Sequence, residues 1–183
     1  MELIDQPVLK ATPYYLRPFS LRDIRLIMQA STDSYITQIT TVPSQGEHQQ
    51  CVDFIHRQWS RTTDGTGYAF AIADSATEQA VGQMGLWFHD ARHGRASIGY
   101  WVGPERRRQG IASCALRTLA DWALEYPGIH RVELYVEPWN EGSWRTAEHC
   151  GFQREGLLRG WELIGNEPKG MYMYSRIAGR VQN

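Results

Sequence analysis

The chain of 183 residues is short of cysteine, of net charge and of long apolar runs. Its cysteines, Cys51, Cys114 and Cys150, have neither the paired spacing of a zinc site nor the even count of a disulfide framework. No metal is expected, and a reducing, cytoplasmic setting is. Cys114 and Cys150 lie in apolar stretches, where unpaired cysteine acts as a small buried hydrophobe. No apolar run approaches the roughly 20 residues a membrane helix needs. The opening "MELIDQPVLKATPYYLRPF" lacks the basic start and apolar core of a signal peptide. Lys plus Arg is 19 and Asp plus Glu is 20, a net charge of −1. A general nucleic-acid binder is usually more basic, so any cationic site here is local. His48, His56, His89, His93, His130 and His149 show no ligand spacing.

What is present reads as one domain over residues 1–183, with a core of about 14–177. "YYLRPF" predicts a strand, and "SLRDIRLIMQAS" a helix with Ser20 as N-cap. Leu21, Ile24, Ile27 and Met28 are spaced as its apolar face. Residues 36–46 read as polar and irregular. "EHQQCVDFIHRQWSRT" predicts a second helix with Val52, Ile55 and Trp59 on one side. "YAFAIAD" and "AVGQMGLWFH" read as strands joined by a short turn, and "ASIGYWVG" as another. A long helix follows with Ile111, Cys114, Ala115, Leu119, Trp122 and Ala123 as its buried stripe. "RVELYVE" is a strand and "NEGSWRTAEHCGF" a short helix, capped by Asn140 and ended by Gly151. "GWELIGNEPKGMYMYSRI" predicts a closing hairpin that turns around Gly165 to Pro168. Strands first, then alternating strands and helices, indicate an α/β (α+β) domain with a mixed sheet.

Arg106, Arg107 and Arg108 stand just ahead of Gly110 and the long helix. A helix N-terminus offers unpaired N–H groups and about half a positive charge, and glycine lets an anion approach the main chain. The combination suits a diphosphate. A nucleotide loop of the Gly-Lys-Ser/Thr kind is missing, and so is the double-glycine dinucleotide fingerprint. A solvated basic loop before an ordinary helix is the plainer alternative.

Arg107-Arg108-Gln109-Gly110-Ile111-Ala112 fits Arg/Gln-x-x-Gly-x-Gly/Ala, and "NEGSWRTAEHCGF" fits Asn-x-x-Ser-(x)7-Gly-Phe. Both patterns, in this order, resemble the GNAT superfamily of N-acetyltransferases. "LRPFSLRD" and "MYMYSRI" resemble its branch that acetylates ribosomal-protein N-termini (RimJ/RimL-like), over about Tyr15 to Ile177. The resemblance implies a mixed central sheet flanked by helices, with two parallel strands that splay apart and admit acetyl-CoA. Tyr100, Trp101 and Val102 would pair with the pantetheine arm, and Gly99 would leave room for its approach. Arg107, Arg108, Gln109, Gly110, Ile111 and Ala112 would cradle the pyrophosphate, with Asn140 and Ser143 also on the cofactor. Ser143 is the implied acid for the leaving thiolate, and Glu162 the implied base, with Glu133 as a second choice. Many relatives carry Glu where this chain has Ser97.

The implied reaction is direct acetyl transfer to a primary amine in a ternary complex. The acceptor would be a protein N-terminal α-amine or a small-molecule amine. Tyr35, Trp59, Trp87, Trp139 and Trp161 are available to line its pocket. No nucleic-acid or membrane partner is expected, and a homodimer is left open. The rival is a non-catalytic CoA-binding sensor or scaffold of the same fold.

Overall fold

A computed structural model describes residues 5–179; the first four and last four residues of the expected domain lie outside the described residues. Eight strands form one sheet in the order β1-β2-β3-β4-β5-β6-β8-β7. They are β1 (Leu9–Ala11), β2 (Tyr14–Pro18), β3 (Gly67–Asp74), β4 (Ala80–Trp87), β5 (Arg95–Val102), β6 (Arg131–Val136), β7 (Gln153–Ile164) and β8 (Glu167–Ile177). The α-helices are α1 (Ile24–Ala30), α2 (Ser34–Ile39), α3 (His48–Thr63), α4 (Ile111–Glu125) and α5 (Glu141–His149).

All neighbours pair antiparallel except β5 and β6. A parallel pair needs a crossover, and α4 supplies it. The β5–β6 ladder runs from Arg95↔Arg131 to Ser97↔Glu133 and stops. Beyond it β5 stays with β4 as far as Gly82↔Val102, and β6 stays with β8 as far as Val136↔Tyr172. Each strand keeps one partner and turns its other edge to an opening. Backbone N–H and C=O groups on that edge need partners from elsewhere.

The sheet has apolar residues on both faces. On one, Ile98, Val102, Val132 and Leu134 pack with Ile111, Ala115, Leu119 and Ala123 of α4 and with Ala147 of α5. On the other, Ala71 and Trp101 pack with Leu26, Ile27, Ile36, Phe54 and Ile55 from the first three helices. The alternation of side chains along β5 sends Ile98 and Trp101 to opposite cores. The α4 stripe holds as well, although Cys114 and Trp122 are only partly buried.

Four local expectations change. In α1 the buried face is Leu26, Ile27 and Ala30, while Leu21 and Met28 are exposed. In α3 it is Cys51, Phe54, Ile55 and Gln58, leaving Trp59 exposed. In both helices the buried apolar side chains are those that join Phe19, Ala71 and Trp101 in one core. Residues 36–39, the start of the stretch expected to be irregular, belong to α2. Asp33 caps it by accepting from Tyr35 N at 2.9 Å and Ile36 N at 3.1 Å. The closing hairpin turns at Gly165–Asn166 as expected, but β7 begins earlier, at Gln153.

Candidate functional site

Two cavities flank the opening between β5 and β6. One, of about 370 Å3, runs from Tyr100, Trp101 and Val102 to Arg108, Gly110, Ile111 and Ala112 at the start of α4. The other, of about 390 Å3, is walled by Trp87, Ser97, Gly99, Glu137, Glu162 and Met171. They share Tyr35, Ile39, Tyr100, Trp101, Asn140 and Ser143. Ser143 and Tyr100 therefore stand where the two cavities meet.

The first cavity ends on a helix N-terminus. Gly110 takes φ +76°, a left-handed conformation that a side chain would strain, and nothing lies within 4 Å of the position its Cβ would occupy. Arg108 is also left-handed, at φ +59°. The arginines divide their work. Arg106 pairs with Asp74 at 3.1 Å, and Arg107 pairs with Asp33 at 2.6 Å and donates to Val102 O at 3.2 Å. Burial opposes ionisation of Asp33, but the Ile36 N–H and Arg107 outweigh it and hold the carboxyl below its ordinary range. Among the described residues Arg108 has no protein partner, so its charge is available to a ligand. Gln109 does not line the cavity; its amide reaches back toward Glu105 O at 3.5 Å. An open amide terminus, a free arginine and room for an anion fit a pyrophosphate.

At the junction, Asn140 caps α5, and its Oδ1 accepts from Ser143 N at 3.2 Å. That leaves the Ser143 hydroxyl outside the capping scheme. It lies 2.9 Å from the Tyr100 hydroxyl. Burial, above all, pushes the Tyr100 phenol up to about 12, so it stays protonated across the neutral range.

The second cavity is acidic at one end. Glu137, only 5% exposed, accepts from the Tyr35 hydroxyl at 2.7 Å. Glu162 is solvent-accessible along β7, yet surrounding protein, and then Glu137, hold its carboxyl above the ordinary range. Trp87 forms the opposite wall. Its indole lies on the paired glycines Gly85 and Gly99: a Cβ on Gly85 would come within 2.1 Å of Trp87 Cζ2, and one on Gly99 within 3.4 Å of its Nε1. Gly85 is therefore the glycine that Trp87 requires, whereas a Cβ on Gly99 would meet the ring at ordinary contact distance. The Arg61 guanidinium stacks on the same ring, 4.5 Å from its centroid.

Of the aromatics expected in the acceptor pocket, Tyr35 and Trp87 line it. Trp139 packs edge-on against Tyr35 at 4.8 Å, and Trp161 stacks on Tyr135 at 5.4 Å. Trp59 is elsewhere, bonding Phe19 O at 2.7 Å. Glu133 is committed to Arg131 at 2.6 Å and Tyr135 at 2.8 Å. That bonding argues against a free base there. Sequence reasoning passed over Glu137; an acidic residue between the strand "RVELYV" and the Asn140 cap was the available signal. Among the described residues no group of His, Cys, Asp and Glu could hold a metal, and no helix is long and apolar enough to cross a membrane.

Residues 14–153 match the family model described as an acetyltransferase (GNAT) domain. The chain is 30% identical over 160 residues to an uncharacterized N-acetyltransferase, p20, of Bacillus licheniformis, covering 87% of this chain and 90% of the relative. It is 26% identical over 111 residues to the ribosomal-protein-serine acetyltransferase of Escherichia coli (strain K12), covering 61% and 62%. Mycobacterium smegmatis RimJ in complex with a CoA disulfide shares the fold, with a TM-score of 0.80 at 23% identity over 97% of this chain and 88% of that one. Parted parallel strands, an open helix terminus behind them and a family match over most of the sequence agree: the chain belongs to the GNAT acetyltransferase family.

Proposed function

We propose that this acetyltransferase moves an acetyl group from acetyl-CoA to a primary amine by direct attack in a ternary complex. The α-amine of a polypeptide or a small amine is the acceptor. The observation that carries the reading is the meeting of two cavities at Ser143. One end suits a diphosphate ester and the other a cation. A structural relative with this fold holds a CoA disulfide, which supports acetyl-CoA as the donor.

The donor supplies a thioester carbonyl for attack and a thiol as leaving group. Arg108 and the amides of Gly110, Ile111 and Ala112 would bind its pyrophosphate, while Arg107 braces the turn from Asp33. The open edge at Tyr100, Trp101 and Val102 would pair with the pantetheine amides as an added strand does. Asn140 fixes the start of α5 and so the place of Ser143. Glu162 would take the proton of the incoming amine, and a carboxyl raised above its ordinary range is better matched to that task. Ser143 would give a proton to the departing sulfur.

With Glu137 held by the Tyr35 hydroxyl, Glu162 is the one carboxylate placed as base, which favours an α-amine over lysine. The α-amine has a pKa near 7.7 to 8.0 and lysine about 10.4, so lysine costs about 3 kcal/mol more to deprotonate at neutral pH. The test is a thiol-release screen with acetyl-CoA across N-terminal peptides, amino acids, polyamines and aminoglycosides. Turnover with a peptide or small amine is expected. Donor binding without turnover on any amine would return the rival reading of a sensor or scaffold.

A further inference from the structure

The Tyr100 side chain has no part in the scheme above, which uses only its backbone. We propose that the Tyr100 hydroxyl is a positioning donor for Ser143, holding the serine oxygen so that its own proton points to the junction of the two cavities. The inference rests on the acetyl-transfer reading and deepens it.

The geometry is specific. Tyr100 reaches across from β5 to the first turn of α5, with its hydroxyl 2.9 Å from Ser143 Oγ and 3.3 Å from Ser143 O. A serine hydroxyl has one proton and two acceptor sites. If Ser143 gives its proton to Tyr100, it has none for a leaving group. If Tyr100 gives its proton to Ser143, the serine proton is free. Two features select the second arrangement. The carbonyl competing for the Tyr100 proton is the longer contact. The phenol is the more acidic of the two hydroxyls and so the better donor. A phenol that stays protonated through neutral pH remains a donor throughout.

In the reaction the amine lone pair forms the C–N bond and the C–S electron pair leaves with sulfur. The amine proton goes to Glu162 and the Ser143 proton to sulfur. As Ser143 gives up its proton, the Tyr100 hydrogen bond stabilises the charge growing on its oxygen. Solvent then carries the proton from Glu162 back to Ser143, so none is gained or lost. Tyr100 itself touches neither substrate atom that reacts.

The test is a double-mutant cycle on the full chain with acetyl-CoA and the best amine of the screen. Tyr100→Phe should lower kcat about tenfold, the order expected for one lost hydrogen bond, with KM for both substrates within about twofold. Ser143→Ala should lower kcat by about a hundredfold. The double variant should be no slower than Ser143→Ala alone, because the tyrosine acts only through the serine. Additive losses, or an unchanged kcat in Tyr100→Phe, would overturn the proposal. A merely structural tyrosine gives additive losses and a raised KM. Calorimetry with CoA reports whether each variant is folded; should Tyr100→Phe fail it, Tyr100→Leu enters the same cycle. A wild-type protein with no turnover on any amine would sink the function itself, an outcome separate from the cycle.

Discussion

At Ser143 two roles compete for one side chain. A serine in the first turn of a helix often serves the helix itself. Here Asn140 already caps that turn, so the hydroxyl is left for chemistry. Ser143→Ala is accordingly expected to lower turnover far more than donor affinity, read as kcat against the calorimetric Kd of CoA; unchanged turnover would remove Ser143 from the mechanism. Arg108 and Gly110 are expected to act on binding instead. Arg108→Ala removes the free charge, and Gly110→Asp adds a strained backbone and a negative charge where an anion should bind. Both should weaken CoA at least tenfold, because charge-assisted contacts are the strong ones. Wild-type affinity in both variants would reject the phosphate turn.

Glu162 gives a prediction in pH. The base works only when ionised, and its carboxyl is held above the ordinary range, so kcat/KM should rise with pH through a limb above that range. Around it stand Glu137 from the loop after β6, Tyr35 from α2 and Lys169 opposite it on β8, itself paired with Glu167. Only Glu137 among these pushes the carboxyl up by its charge. Glu137→Gln should therefore move the limb to lower pH, and Glu162→Gln should abolish it. A limb unmoved in Glu137→Gln would detach the pair.

Among the elements, α2 was the least legible. Six residues, Ser34–Ile39, with one buried apolar side chain give no usable period. Its cap was readable in principle, yet what makes α2 matter is tertiary: Asp33 both caps the helix and holds Arg107. Asp33→Ala should cost about 1 kcal/mol for the lost cap, seen in urea denaturation, and should also weaken CoA binding by loosening the turn. Stability loss with unaltered CoA affinity would confine Asp33 to the helix. The rotated faces of α1 and α3 have a similar cause. Periodicity names a helix and its rough stripe, but the partner surface picks the residues that are buried.

Across the whole molecule, the parting of β5 and β6 organises everything else. Leu134–Val136 and Tyr100–Val102 each keep one strand partner and expose one edge. CoA should slow amide hydrogen exchange in both segments, since an added partner protects the edge groups. Exchange unchanged in either segment would mean that the ligand lies elsewhere.

The sequence alone carried the order of the strands and helices other than β1 and α2, the long α4 stripe, the Asn140 cap and the two motifs around Gly110 and Ser143. These are local properties: period, cap chemistry and spacing along the chain. It could not show that two of the three arginines are already paired, that Gly85 serves Trp87, that Glu133 is bonded away or that Glu137 faces Glu162. Each of those facts joins residues that are distant along the chain or share a surface only after the sheet has formed. Which charge remains free, and which hydroxyl has a donor behind it, is decided by packing in three dimensions.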